Sequence, residues 1–471
     1  MFIEKGFFDL KPLKNQKYQF SIIKCHYSGV KIIQNVLLYK EVRFPMANIS
    51  APGRNRPVVL LVLMNLLGFG LLYVANDYNK NIIWVGMGLL GLFVIIYTVL
   101  TVCRMGDKFI VPMACMLITI GVILLCRINI EKYGIKQIAW VAMGAVAFFA
   151  AYAIYYNFRY WSKLWYLYFI GGVLLFVATL TLGTTIKGSR NWISFGGFAF
   201  QPAEITKILF IMFLSCHFSG EWTKPVLGFK PKYITLLGTY MFIGFLVLQR
   251  DWGTMLVFFS IYIFMLYVYE KSTAFLLANI GTASVIAVLG YKFLHHIQVR
   301  VSTWLDPWAD ISNTGYQITQ SLFAIASGGY FGRGIGNGSP SYIPEVHSDF
   351  IFSAVCEEMG VFGGAAIIIL FFLIAYRCFK ISIQTTDVFD KALAFGLTVM
   401  FAMQTFIIVG GVTKMIPLTG ITLPFVSYGG TSIVVSFASL GIIQAISAKS
   451  ERGKNLEPSK NKMNGRVSRA K

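Results

Sequence analysis

The chain has 471 residues, 56% of them hydrophobic and only 13% charged, with a mean hydropathy of +0.66 and a formal net charge of +21. A soluble domain carries about twice that charged fraction, so the bulk of this surface is excluded from water and lipid is its solvent. Most of the positive charge sits in two tails, with no folded basic domain, which argues against nucleic-acid binding and for contact with an anionic membrane leaflet.

Residues 1–56 read as a basic arm. Gly6–Lys40 mixes Lys, Gln, Tyr and Ile without a helical stripe and has no signal-peptide pattern. Met46 opens a short polar lead-in and is a candidate start, which would make residues 1–45 non-native. A spanning helix needs about 20 mostly apolar residues, and such runs then recur to the end of the chain. The expected spans are Pro57–Ala75, Ile82–Val102, Phe109–Cys126, Gln137–Tyr156, Trp165–Ile186, Ile205–Phe218, Tyr233–Gln249, Trp252–Tyr269, Thr273–Lys292, Phe350–Tyr376, Ala392–Val412 and Ile421–Ser447. The sixth is short and should begin before Ile205. The fold class is therefore an all-α polytopic membrane protein of about 12 helices. Residues 57–102 form an accessory hairpin whose two spans carry no charged residue, 103–447 the core with one long loop at 295–349, and 448–471 a basic tail. The tail is charged and holds Gly, Pro and Asn, so disorder is expected after Ser450.

An even span count places both termini on one side, and their Lys and Arg residues assign that side to the cytoplasm. The 295–349 loop, which holds only Arg300 and Arg333 as basic residues, then lies outside. Seven cysteines, none in that loop, imply no disulfide framework.

Four polar stretches fall at outer membrane edges. The first runs Lys187-Gly188-Ser189-Arg190-Asn191-Trp192-Ile193 and on to Gln201-Pro202-Ala203-Glu204-Ile205-Thr206-Lys207. Glu204 and Lys207 share a helix face three residues apart. They are either a local ion pair with a snorkelling lysine or a functional pair, the usual reading of ionisable groups in a span. Arg250-Asp251-Trp252-Gly253-Thr254 is the second, a tight polar connection. The third is the long loop, with Asp306, Asp310, Gln317, a Gly-rich run from Gly328 to Gly336, then Glu345, His347 and Asp349 ahead of a span carrying Glu357 and Glu358. Its glycines lack a dinucleotide fingerprint and read as bends that return the backbone toward the membrane; no secondary structure is evident in it. The fourth, Lys414–Gly420 and Leu423–Ser432, has two prolines and the Gly429-Gly430 pair. It reads as a broken or re-entrant segment whose N–H groups suit a phosphate. Cations, bent backbone and carboxylates on one face fit a lipid-linked anion, and equally an ion or solute transporter.

From about Phe109 to Ser447 the chain resembles the SEDS proteins, the RodA/FtsW/SpoVE group of cell-wall polymerases. The strings that carry the resemblance are Gln201–Lys207, Asp251–Thr254, Gly315-Tyr316-Gln317, Pro344–Phe350, Glu357-Glu358 and Pro424–Gly430. It implies a peptidoglycan glycosyltransferase that polymerises lipid II on the outer face of a bacterial cytoplasmic membrane. It also implies a class B penicillin-binding protein and other elongation- or division-complex proteins as partners. The family's essential acidic residue precedes Gly-Tyr-Gln, a place that Asp310 occupies, with Asp306 as the nearer alternative; the family often has Pro after this Asp, where this chain has Ile311. The family typically has about ten helices, two fewer than expected here.

On chemical grounds Asp310 suits a general base on the attacking sugar hydroxyl, and Arg190, Lys207 and Arg250 suit the charge of the leaving diphosphate. Glu204, Asp251, Gln317, Glu345, His347, Asp349, Lys414, Ser427, Gly429 and Gly430 complete the candidate substrate-binding set. A divalent cation, Mg or Mn, fits beside a diphosphate, and its ligands stay unassigned. The competing function is a flippase or transporter of the same lipid-linked precursor.

Overall fold

The computed structural model describes residues 56–467 apart from 187, 196, 197, 221, 223, 224, 226 and 227. The reading of Met46 as the start, the basic arm before Arg56, and Lys187 lie outside the described residues.

Nine long helices precede the loop: α1 (Arg56–Ala75), α2 (Lys80–Val102), α3 (Ile110–Asn129), α4 (Ile135–Asn157), α5 (Trp165–Leu182), α6 (Pro202–Phe218), α7 (Pro231–Leu248), α8 (Trp252–Tyr269) and α9 (Thr273–Phe293). Between α5 and α6 lie β1 (Thr184–Ile186), β2 (Ser189–Phe195) and β3 (Phe198–Phe200). The loop itself holds α10 (His295–Leu305) and α11 (Tyr316–Gly328), and after it come α12 (Ile351–Gln384), α13 (Val388–Val412) and α14 (Gly430–Val467). Ten helical stretches are long and apolar enough to cross a membrane, one of which, Ile110–Asn157, comprises both α3 and α4; α6 adds a shorter, 17-residue helix. The expected twelve spans are thus accounted for among the described residues, and the chain is a multi-pass membrane protein.

Local sequence explains where the helices start. Pro202 and Pro231 occupy the first turns of α6 and α7, where a missing N–H is no loss. Asp251, Ser272 and Asp387 cap α8, α9 and α13 through their side chains. The sixth span does begin before Ile205. Asn129 turns extended (φ −165°, ψ 109°) between α3 and α4, and Gly134 then packs so close to Cys126 that a Cβ would stand 2.5 Å from its Sγ. The most deeply buried helices are α3, α13 and α14, whereas α9 buries only Asn279.

Four features depart from the sequence reading. The loop contains two helices, short and amphipathic enough to escape a search for apolar runs. Three short antiparallel strands, in the order β1-β2-β3, interrupt the all-α pattern between α5 and α6. The last helix begins at Gly430 rather than Ile421, because the stretch from Lys414 to Gly429 is irregular, as its prolines and glycines predict. The expected disorder after Ser450 is replaced by helix to Val467, since extending a helix already nucleated in the core costs far less than starting one.

The Gly-rich run is spliced into α12, which breaks at Gly360 (φ +71°). Val361 N–H would ordinarily donate to Glu357 O; it donates to Gly329 O (2.9 Å), and Glu357 O accepts from Arg333 N–H (2.9 Å) instead. Likewise Phe362 N–H donates to Tyr330 O (3.3 Å) while Glu358 O accepts from Gly334 N–H (3.0 Å). The loop thereby satisfies the backbone groups that the break exposes. The buried Glu357 and Glu358 anchor it further: Glu357 accepts from Ser339 N–H (2.9 Å), and Glu358 accepts from Gly336 N–H (3.3 Å) and pairs with Arg127 (3.3 Å). The glycines act as the bends the sequence implies.

Candidate active site

A cavity of about 760 Å³ opens at the end of the bundle that carries the long loop. Its walls come from each of the four polar stretches singled out in the sequence. The start of α4 gives Lys136 and Trp140, the strands give Asn191 and Trp192, and the α7–α8 connection gives Arg250 and Asp251. The loop gives Arg300, Glu345, His347 and Asp349, and the irregular segment gives Thr419 to Thr422 and Tyr428 to Gly430.

Three helix N-termini converge there. Gln201 and Glu204 open α6, Asp251 to Thr254 open α8, and Gly430 and Ser432 open α14. The first four N–H groups of a helix have no partner within it and carry its positive end. At α6 that end faces Glu204 in the first turn; at α8 it is capped by Asp251, whose Oδ1 accepts from Thr254 N–H (3.1 Å). The first turn of α14 has no acidic residue, so its amides are the ones left for a negatively charged ligand. Gly430 permits this: Trp140 lies against its Cα, where a side chain would collide with the indole.

The cations sort differently from the sequence reading. Arg190 does not line the cavity; its Nε and Nη2 donate to the carbonyls of Gly183 (2.9 Å) and Thr181 (3.0 Å) at the end of α5. Lys207 is buried behind the wall, bonded to Glu204 Oε1 (2.9 Å) and Gln404 Oε1 (3.1 Å), which is the local ion pair; Gln404 in turn donates to Thr422 O (2.9 Å). Lys414 ties the bend to α10 through Leu305 O (3.3 Å). Arg250 faces the cavity as expected, and Lys136 and Arg300 join it. Arg300 donates from Nη1 to Leu418 O (3.1 Å) and Thr419 O (3.2 Å). Burial lowers its guanidinium's pKa, opposed by the charges of Asp251 and Asp349.

The remaining candidates divide between lining and scaffolding. Asp251 Oδ2 accepts from Gln201 Nε2 (3.0 Å) and Asn191 Nδ2 (3.2 Å), locking strand, α6 and α8 together. The His347 ring stacks on Tyr133 (centroids 4.3 Å apart) and its Nε2 is 3.7 Å from Glu345. Ser427 is not in the lining: its hydroxyl donates to Ser348 O (2.5 Å) and accepts from Leu423 N–H (2.9 Å). Gln317, in the first turn of α11, is also outside it.

Asp310 is outside the lining too, in the turn between α10 and α11. Hydrogen bonds from Thr314 N–H (3.2 Å), Asn313 Nδ2 (3.0 Å) and Thr314 Oγ1 (3.0 Å) hold its carboxyl below the usual range, so it is ionised. Asp306 accepts from Trp308 N–H (3.1 Å) in the same turn.

The sequence reading passed over Lys136, Trp140, Asn191, Gln201 and Arg300 as site residues. Asn191 and Gln201 lay inside the quoted strings, and Arg300 was one of two basic residues in an otherwise uncharged-to-acidic loop. Lys136 and Trp140 sit on a helix whose orientation only the fold supplies.

Residues 107–452 match the FtsW/RodA/SpoVE family model, described as cell cycle protein. The chain belongs to this family. It is 32% identical over 436 residues to peptidoglycan glycosyltransferase RodA of Mycobacterium bovis, covering 86% of this chain and 92% of the relative. With stage V sporulation protein E of Bacillus subtilis it shares 35% identity over 323 residues, covering 66% of this chain and 86% of that protein. Residues 107–471 make up only about 77% of the chain, so the alignment with the mycobacterial RodA reaches back into α1. Among solved structures, RodA of Thermus thermophilus superposes with a TM-score of 0.54 at 24% identity, covering 73% of this chain and 96% of that one. A chain from a structure describing coordination of polymerization and crosslinking by a peptidoglycan synthase complex gives 0.60 at 22% identity, covering 73% and 98%. Both similarities concern the fold.

Proposed function

We propose that this chain is a peptidoglycan glycosyltransferase that joins lipid II units into glycan strands at the loop-end cavity. Its relatives carry the names peptidoglycan glycosyltransferase RodA and FtsW. The observation on which the reading rests is the N-terminus of α14, whose first turn holds no acidic residue, lining one cavity with Arg250, Arg300 and Lys136. That is a cradle for a diphosphate whose lipid tail stays in the bilayer. The tails lie in the cytoplasm and the cavity on the outer face of the cytoplasmic membrane, a reading supported by the Lys and Arg concentrated in both tails.

In this mechanism the 4-hydroxyl of one sugar attacks the anomeric carbon of another from the face opposite the diphosphate–lipid, which leaves with its electron pair. Asp310 takes the hydroxyl proton. Its turn follows directly on α10, which carries Arg300 into the cavity, and catalytic contacts commonly tighten only when substrate is bound. Arg250, Arg300 and the α14 amides balance the charge on the departing diphosphate. Trp140 and Trp192 offer flat apolar faces for sugar rings.

A divalent cation fits here as an ion shared with the diphosphate, since Mg²⁺ commonly takes one or two carboxylates together with substrate phosphates. No group of three or more His, Cys, Asp or Glu side chains forms a metal cage among the described residues, while Glu345 and Asp349 are carboxylates placed to supply such a contact. When bound it would withdraw charge from the leaving group.

A class B penicillin-binding protein is the proposed partner, in keeping with the synthase-complex chain that shares this fold. Purified protein with lipid II, with and without that partner, tests the activity. Wild type should yield glycan polymer and Asp310→Ala none, while both bind lipid II and unfold alike. Polymer from Asp310→Ala would remove Asp310 as base. Movement of lipid II across vesicle bilayers with no polymer from wild type would favour a flippase.

A further inference from the structure

The α1–α2 hairpin lines no part of the cavity, yet it is fixed to the core at both ends. At the tail end its exit, Cys103 to Phe109, is held by α12 and α14. Gln444 Nε2 donates to Met105 O and Asp107 O (2.6 Å each), Asp107 N–H donates to Ser447 Oγ (3.0 Å), and Arg377 pairs with the Asp107 carboxylate (2.5 Å). In between, α1 packs on α3, where Gly68 admits the side chain of Ile123.

At the loop end the hairpin turn is rigid, with Tyr78 N–H on Tyr73 O (3.0 Å), Asn79 N–H on Asn76 O (3.1 Å) and Asn79 capping α2. There Ala75 abuts Gly336: a Cβ on Gly336 would stand 2.7 Å from the Ala75 Cβ. Gly336 also needs glycine for its φ of +94°. Gly336 is the hub of the Gly-rich run, since its N–H meets Glu358 and its carbonyl accepts from Arg127 Nη2 (2.7 Å). A second contact leads the same way. Helix α2 packs against the Ile130–Gly134 turn, whose Tyr133 stacks on the cavity residue His347.

We infer that the hairpin is an intramolecular buttress of the outer loop, holding residues 328–339 and the Tyr133 turn where they support the cavity wall. The effect on turnover rests on the glycosyltransferase reading; the effect on the loop does not.

Ala75→Phe and Gly336→Ala crowd the contact from its two sides, and Trp84→Ala, at a 75% exposed lipid-facing position of α2, is the control. Amide exchange of the full-length protein in detergent and lipid II polymerisation are the readouts. Both crowding variants should exchange about tenfold faster across 328–339, because overpacking raises the closed loop toward its locally opened forms. Their kcat should fall with KM for lipid II held within about twofold, the pattern of a misplaced catalytic geometry rather than lost binding. Trp84→Ala should match wild type in both. Unchanged exchange at 328–339 in Ala75→Phe overturns the buttress, as does faster exchange with wild-type turnover. A wild type that makes no polymer overturns the glycosyltransferase reading alone, because the exchange comparison still decides the hairpin's role.

Discussion

Arg300 Nη1 lies 3.2 Å from the carbonyl oxygen of Thr419, and this contact joins the long loop to the irregular segment ahead of α14. The two stretches are more than a hundred residues apart in sequence, and between them they bring Arg300, Thr419 and Gly430 to one cavity. The guanidinium does two things at once: Nη1 closes the wall, and the charge remains within the cavity. Lysine in its place keeps the charge, but its single ammonium cannot hold both carbonyls as Nη1 does and still present further donors to the cavity as Nε and Nη2 can. Arg300→Lys should therefore lower kcat/KM by about 10- to 100-fold, the equivalent of one charge-assisted hydrogen bond of roughly 1.5–3 kcal/mol. Kinetics on lipid II check this, and a variant within twofold of wild type would remove Arg300 from the site.

Asp310 gives a prediction in pH. Thr314 and Asn313 donate to its carboxylate and depress its pKa. As the proposed base, Asp310 works only when deprotonated, so turnover should stay level as the medium is acidified from neutrality and fall only below the usual carboxylate range. Thr314→Val removes the hydroxyl donor at 3.0 Å, so the carboxyl pKa rises and the acid limb of the pH–rate profile moves to higher pH. The stability linkage has the same sign: the depressed group's contribution is present above its unfolded pKa and is lost as pH falls through the folded one. An acid limb that stays in place in Thr314→Val would assign it to another group.

Much of the fold was legible because lipid imposes it. Long apolar runs and terminal charge predict the twelve spans, and Pro424 and Gly429-Gly430 predict the break ahead of α14. The β strands were not legible, since Ser189–Phe195 reads as polar punctuation at a span edge until its pairing with Phe198–Phe200 is known. Among the site residues, type and neighbourhood were readable but direction was not. Arg190 and Arg250 are both arginines at span edges, yet one caps α5 and the other faces the cavity; nothing local in the sequence separates them. Lys207 was readable as a partner of Glu204 from spacing alone, and its burial shows that the pair reinforces the wall rather than presenting a cation.

That pair predicts a stability pattern. Glu204 and Lys207 are both buried, at 6% and 3% exposure, and 2.9 Å apart. Removing one partner strands the other charge, which costs about 3–5 kcal/mol, whereas replacing both is often nearly neutral. Lys207→Met should thus lower the unfolding midpoint in detergent markedly, and Glu204→Gln combined with Lys207→Met should recover most of it. A double variant no more stable than Lys207→Met would mean that Gln404 and Thr422, not Glu204, are what Lys207 supports.

Arg190 should behave in the opposite sense to Arg250. Its side chain is exposed and spends its donors on Gly183 O and Thr181 O, and its N–H donates to Gln249 O at 3.2 Å. A cation on the last carbonyls of a helix stabilises that end by about 0.3–1 kcal/mol when exposed. Arg190→Ala should cost about that much in unfolding free energy, leaving KM for lipid II within about twofold, because no ligand contact is lost. Arg250→Ala should leave stability nearly unchanged and raise KM or lower kcat by at least about tenfold, the equivalent of 1.4 kcal/mol of lost charge stabilisation. Equilibrium unfolding and polymerisation kinetics on the two variants side by side separate the roles. If Arg190→Ala instead loses activity at unchanged stability, its guanidinium leaves α5 for the substrate during the reaction, and the cation set of the cavity must be redrawn to include it.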